Sequence, residues 1–131
     1  MKKSRLLIVD DEAYITRELK DQLEHTGRFE VLAANSGASA LRAVRRFKPD
    51  MAILDVMMDG MDGGELKFRL QQIPGFKHLP VAYLTAAKLP NEKNDKELFI
   101  EKPVEIQHII DVIDQQLLER AAPNAGRPAS A

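Results

Sequence analysis

The run Met51-Ala52-Ile53-Leu54-Asp55 constrains this chain more than any other stretch. Lying between Pro49 and Gly60, it is too short for a helix, and its unbroken apolarity is that of a strand covered on both faces. Such a strand belongs inside a parallel sheet with helices on either side. Asp55 then stands at the strand's exit, and open parallel sheets bind ligands just beyond the carboxyl ends of their strands. What else reaches that edge decides what the chain can do.

Four more short apolar runs, at residues 6–9, 29–34, 80–85 and 98–102, read as strands. Between them lie helical patterns. Residues 12–26 place Ile15, Leu19 and Leu23 on one stripe that Gly27 ends. Asn35-Ser36-Gly37 makes a turn and N-cap for a helix through Phe47, with Ala40, Leu41, Val44 and Phe47 inward. A third helix, residues 63–72, turns Leu66, Leu70 and Ile73 inward. Residues 88–97 offer only Leu89 as an apolar contact before Leu98 and contain Pro90, Asn91 and Asn94, so a loop or one loose turn is expected there. The last helix carries Ile106, Ile109, Ile110, Ile113 and Leu117 at three- and four-residue steps, with Pro103 as its starter, and ends near Ala122. Residues 1–122 then form one domain, and the Pro/Ala/Gly/Ser stretch 123–131 is a tail or linker. Strands alternating with helices give a parallel sheet wound on both faces, an α/β fold.

All strand exits then share one edge, which collects Asp10 and Asp11, Asp55, Thr85 and Lys102. Singly, each has a plain reading: Asp11 as a helix cap, Asp55 and Thr85 as turn residues, Lys102 as a solvated charge. Together, three carboxylates repel one another, and folding must raise a pKa or recruit a cation. An all-oxygen ligand set suits a hard divalent ion rather than zinc. With a cation present, Asp55 can act as a nucleophile in aspartyl-phosphate chemistry, with Lys102 and Thr85 contacting phosphoryl oxygens. Composition excludes other classes. A formal charge of -1 gives no global attraction to nucleic acid or acidic lipid, and the absence of cysteine removes thiolate chemistry. No run approaches the roughly 18 apolar residues that span a bilayer, so a cytoplasmic protein is expected.

The segments Leu6-Leu7-Ile8-Val9-Asp10-Asp11-Glu12, Ile53-Leu54-Asp55-Val56-Met57-Met58, Met61-Asp62-Gly63, Tyr83-Leu84-Thr85-Ala86 and Phe99-Ile100-Glu101-Lys102-Pro103 together resemble the receiver domain of two-component response regulators. The resemblance implies a flavodoxin-like five-stranded sheet in the order 2-1-3-4-5. It implies that Asp55 takes phosphate from a histidine kinase or phosphotransfer protein and signals to a downstream target. The domain would be a phosphoacceptor assisting its own phosphorylation and dephosphorylation, not an enzyme. Asp11 would bind magnesium, or manganese in its place, directly; Asp10 would help through water, and Asp55 and the Met57 backbone carbonyl would complete the protein ligands. The Lys102-Pro103 peptide would be cis. Phe99 matches an aromatic that rotates inward as Thr85 moves.

The chain also departs from the family pattern. Asp59 stands where proline is usual and reads best as a turn residue. Met57 and Ala87 are apolar where they would face the phosphoryl group, which predicts a slowly decaying phosphoform. Thr85 and Lys102 are 17 positions apart, short by about one helical turn, so a shortened or irregular fourth helix is expected. That keeps an alternative open: a receiver-fold interaction module that works without phosphorylation. An aspartate-nucleophile phosphatase of the haloacid dehalogenase type would want a second Asp where Met57 stands. A flavin carrier would want a Gly- and hydroxyl-rich loop in place of Asp10-Asp11-Glu12.

Overall fold

The structure, a computed structural model, describes residues 2–86 and 97–121, with side chains through residue 119. The expected irregular interval 88–97, apart from Glu97, the position of Ala87 and the tail 123–131 lie outside the described residues. The elements follow in the order β1 (Ser4–Val9), α1 (Ala13–His25), β2 (Phe29–Ala34), α2 (Gly37–Phe47), β3 (Met51–Asp55), α3 (Gly63–Gln72), β4 (Val81–Thr85), β5 (Leu98–Glu101) and α4 (Ile106–Ala121). The strands form one parallel sheet in the order β2-β1-β3-β4-β5, as the flavodoxin-like topology requires.

Because successive strand residues point to opposite faces, the sheet divides its apolar side chains between two cores. Leu6, Ile8, Met51, Ile53, Ala82 and Leu84 meet Leu19 and Leu23 of α1 and Ile109 and Ile113 of α4 on one side. Their chain neighbours Leu7, Val9, Ala52, Leu54, Val81 and Tyr83 meet Ala40 and Val44 of α2 and Leu66 and Leu70 of α3 on the other. Strand β3 is buried at all five positions, which is the physical content of its unbroken apolarity.

Boundaries differ from the sequence reading in ways that have causes. Strand β1 begins at Ser4 because its pairing with β2 starts at Ser4 opposite Phe29. Helix α4 begins at Ile106, not beside Pro103, and the Lys102-Pro103 peptide is cis. The cap expected at Asn35-Ser36-Gly37 is Ser36, which accepts from the Ser39 amide; α3 has a cap that the sequence reading did not name, Asp62, which accepts from the Glu65 amide at 2.8 Å. Asp11 caps nothing. Glu12 occupies the N-cap position of α1 without a side-chain cap, and its amide donates instead to Asp10 Oδ1 at 3.0 Å.

Candidate functional site

Strands β1 and β3 are hydrogen-bonded neighbours, with Val9 opposite Leu54, so their exits place Asp10 beside Asp55. Asp10 is wholly buried and Asp55 nearly so, while the next residue along, Asp11, is exposed. One carboxylate oxygen from each of the three lies within 4.8 Å of the others. Lys102 leaves the end of β5 and enters this cluster from the side, its Nζ 2.7 Å from Asp10 Oδ2 and 3.4 Å from Asp55 Oδ1. Thr85 ends β4, is buried, and accepts the Lys102 amide on its carbonyl at 2.8 Å. The structure therefore brings together all five polar residues that the sequence placed at the sheet edge.

The electrostatics follow from that crowding. Burial first, and the Asp10 carboxylate second, push the Asp55 carboxyl above its usual range; the Lys102 ammonium and the Met57 backbone amide pull it back in part. Lys102 shows the opposite balance. Burial alone would lower it, but contacts with Asp10 and then Asp55 prevail and hold the ammonium above its ordinary value. Asp10 Oδ2 is buried and has no aligned hydrogen-bond donor among the described residues; its contact with Lys102 is ionic. A buried carboxylate oxygen with spare lone pairs, next to two more carboxylates, fits a hard divalent cation held by oxygen.

Other residues shape the site. Gly63 opens α3 so close to the end of β3 that a Cβ there would stand 2.4 Å from the Asp55 carbonyl oxygen. Met57 lies two residues beyond β3 with its side chain 78% exposed. Asp59 is exposed and its carbonyl accepts from the Met61 amide, which is the turn role expected of it. Phe99 is partly exposed and stacks on Tyr83 with ring centroids 5.5 Å apart. Sequence reasoning missed two residues. Asn35 donates to the Asp10 carbonyl at 2.8 Å and to Thr16 Oγ1 at 2.9 Å, fastening the loop after β2 to the loop after β1. Glu12 reaches within 3.7 Å of Lys102 and accepts from the Tyr14 hydroxyl. Neither carried a signal beyond a turn residue and a helix start.

The model of the response regulator receiver domain family matches residues 6–114. The chain belongs to that family. It is 36% identical over 128 residues to the transcriptional regulatory protein GlrR of Escherichia coli (strain K12), an alignment covering 93% of this chain and 28% of that protein. With the response regulator PleD of Caulobacter vibrioides it shares 34% identity over 107 residues, covering 78% of this chain and 23% of that one. The chain thus spans about a quarter of these curated relatives. Among solved structures, the receiver domain of the hybrid histidine kinase CckA superposes with a TM-score of 0.73 at 28% identity, covering 87% of this chain and 99% of that one. A CheY-like receiver domain protein from Methanospirillum hungatei shares the fold with a TM-score of 0.80 at 23% identity, covering 94% and 100%. This receiver domain is accordingly a module of two-component signal transduction. Among the described residues no helix is long and apolar enough to cross a membrane.

Proposed function

We propose that the receiver takes a phosphoryl group onto Asp55 from a phosphohistidine of a histidine kinase or phosphotransfer protein, and signals by changing conformation toward a downstream protein. The observation that carries this reading is the meeting of three carboxylate oxygens within 4.8 Å with the Lys102 ammonium 2.7 Å from Asp10 and 3.4 Å from Asp55. An Asp55 oxygen attacks phosphorus, the phosphorus–nitrogen bond breaks, and the departing imidazole keeps the electron pair and is protonated. Phosphoryl transfer asks the protein for in-line positioning and for neutralisation of charge on the transferred group. Lys102 covers one oxygen and the Thr85 hydroxyl another.

Asp10, Asp11, Asp55 and the Met57 backbone carbonyl would hold magnesium, or manganese in its place. When bound, the ion neutralises charge on a phosphoryl oxygen. The chain is then a self-assisting phosphoacceptor, and the domain runs over residues 1–122 with 123–131 as a tail. A module working without phosphorylation would need neither the buried carboxylate pair nor the lysine between its members, so the phosphoacceptor reading is preferred.

The test is intact mass after incubation with acetyl phosphate and magnesium. One added phosphoryl group is expected, absent in Asp55→Asn and absent with EDTA. A gain that survives in Asp55→Asn, or no gain at all, would overturn the proposal.

A further inference from the structure

At the opposite, amino-terminal edge of the sheet the charge pattern inverts. Lys2 and Lys3 precede β1, Arg5 is its second residue, and the end of α2 carries Arg46 and the C-cap Lys48; these five cations line one groove of about 850 Å³. Its only carboxylate among the described residues is Asp50, which accepts from the Arg5 backbone amide at 2.8 Å and so serves the entry of β1 and β3. Half-buried Phe47 and Leu117 supply apolar wall. Arg5 is built into that wall: its Nε donates to the Phe47 carbonyl, its guanidinium lies 4.4 Å from the Phe47 ring centroid, and Glu30 takes Nη1. Lys2, Lys3, Arg46 and Lys48 take part in none of the ion pairs among the described residues.

Basic residues at a helix C-terminus complement its dipole, which accounts for Arg46 and Lys48 on α2. It does not account for Lys2 and Lys3, which belong to no helix and line the same groove. In a chain of net charge -1, a groove lined by five cations and one carboxylate, with Glu30 pairing Arg5 alone, concentrates positive potential in a single concave place. A single phosphate matches the charge of one or two of these groups; a chain of linked phosphates carries enough negative charge to match Lys2, Lys3, Arg46 and Lys48 together.

We propose that this groove is a second ligand site, for a polyphosphate anion, on the face of the sheet edge remote from Asp55. The site takes the charge of linked phosphates from an inorganic chain or from a nucleotide, and Phe47 with Leu117 offers surface to a nucleoside if one is attached. It is independent of the phosphoacceptor reading.

The experiment is an amide chemical-shift titration of the full chain in EDTA, with the phosphoacceptor removed as Asp55→Asn. Inorganic tripolyphosphate and adenosine triphosphate are the two probes. Saturable shifts are expected at Lys3, Ser4, Phe47 and Lys48 with both. Tighter binding of the nucleotide assigns a role to the apolar wall, and equal binding assigns the affinity to the phosphates alone. Arg46→Gln/Lys48→Gln should weaken binding by at least about tenfold, the scale of two lost charge contacts near a surface. Lys2→Gln/Lys3→Gln, lying ahead of the first strand, gives the same test should the first variant unfold. Shifts confined to the Asp10 edge or scattered over the surface, or an affinity unchanged in both variants, would overturn the site.

Discussion

Burial and the Asp10 carboxylate raise the proton affinity of Asp55, and Lys102 reverses only part of the rise. A carboxyl whose folded value lies above the unfolded one, near 3.9, contributes stability that is fully present below the unfolded value. That contribution is lost as pH rises through the folded value. At neutral pH and without metal, the ionised Asp55 is therefore a cost to the fold. Asp55→Asn should raise the unfolding temperature of the metal-free protein at pH 7 by roughly 2–8 °C, the span that about 1 kcal/mol moves in domains of this size. Magnesium should narrow the gap by stabilising the parent more. Calorimetry in EDTA and in magnesium decides the matter, and a lower unfolding temperature for Asp55→Asn in EDTA would sink it. At this scale the sequence was informative because an apolar run that stops on a carboxylate locates that carboxylate at a strand exit. Spacing did not tell that Asp10 is buried and Asp11 exposed. Adjacent in the chain, they differ because the Asp10 backbone still hydrogen-bonds to the end of β2, and the chain turns away immediately after it.

Of the described glycines, Gly63 leaves the least room for a Cβ, where α3 starts against the end of β3. A Cβ on Gly63 would meet backbone, the Asp55 carbonyl oxygen at 2.4 Å, and backbone at a strand end cannot swing aside as a side chain does. On Gly64, one position on, a Cβ would meet only Asp62 Oδ1 at 3.4 Å. Gly63→Ala should cost about 2 kcal/mol or more and lower the phosphorylation rate by moving Asp55, whereas Gly64→Ala should be neutral or stabilise by up to about 1 kcal/mol. Denaturant titration of the pair, with mass spectrometry of phosphoryl uptake, checks both. Equal stabilities would show that α3 shifts freely against β3. The periodicity of Leu66, Leu70 and Ile73 was enough to place α3, and a glycine at its start read as an ordinary boundary. That the glycine is there for contact with the strand carrying Asp55 is a tertiary fact, invisible to spacing. The late start of α4 is another: Lys102 first turns into the carboxylate cluster, and the helix begins only at Ile106.

Across the whole molecule, the site at the β1–β3 exits is linked to an outer surface through β4 and β5. Thr85 closes β4, its carbonyl holds the Lys102 amide, and Tyr83 on the same strand lies opposite Phe99 of the edge strand β5 in the ladder. The Phe99 ring rests on Tyr83 at the surface, 38% exposed. A phosphoryl group at Asp55 would replace the single carboxylate charge with about 1.5 to 2 negative charges on new acceptor oxygens near Lys102 and Thr85, and so would favour whichever packing of the β4 and β5 ends brings those residues closer. To carry a population from 1:99 to 99:1 the group must favour that packing by about 5.5 kcal/mol, which a few charge-assisted contacts supply. Since the chain has no tryptophan, Phe99→Trp makes one fluorescent reporter on that surface. Beryllium fluoride with magnesium should shift its emission to shorter wavelength and reduce quenching by iodide, as the ring leaves the surface. The same reagents should do nothing in Phe99→Trp/Asp55→Asn, and Phe99→Trp/Thr85→Ala should bind them with a smaller change, because the residue that couples the two places is gone. An unaltered Phe99→Trp spectrum, with binding of beryllium fluoride established by fluorine resonance, would mean that occupation of Asp55 stops at the site and that β5 is not the route by which the domain signals.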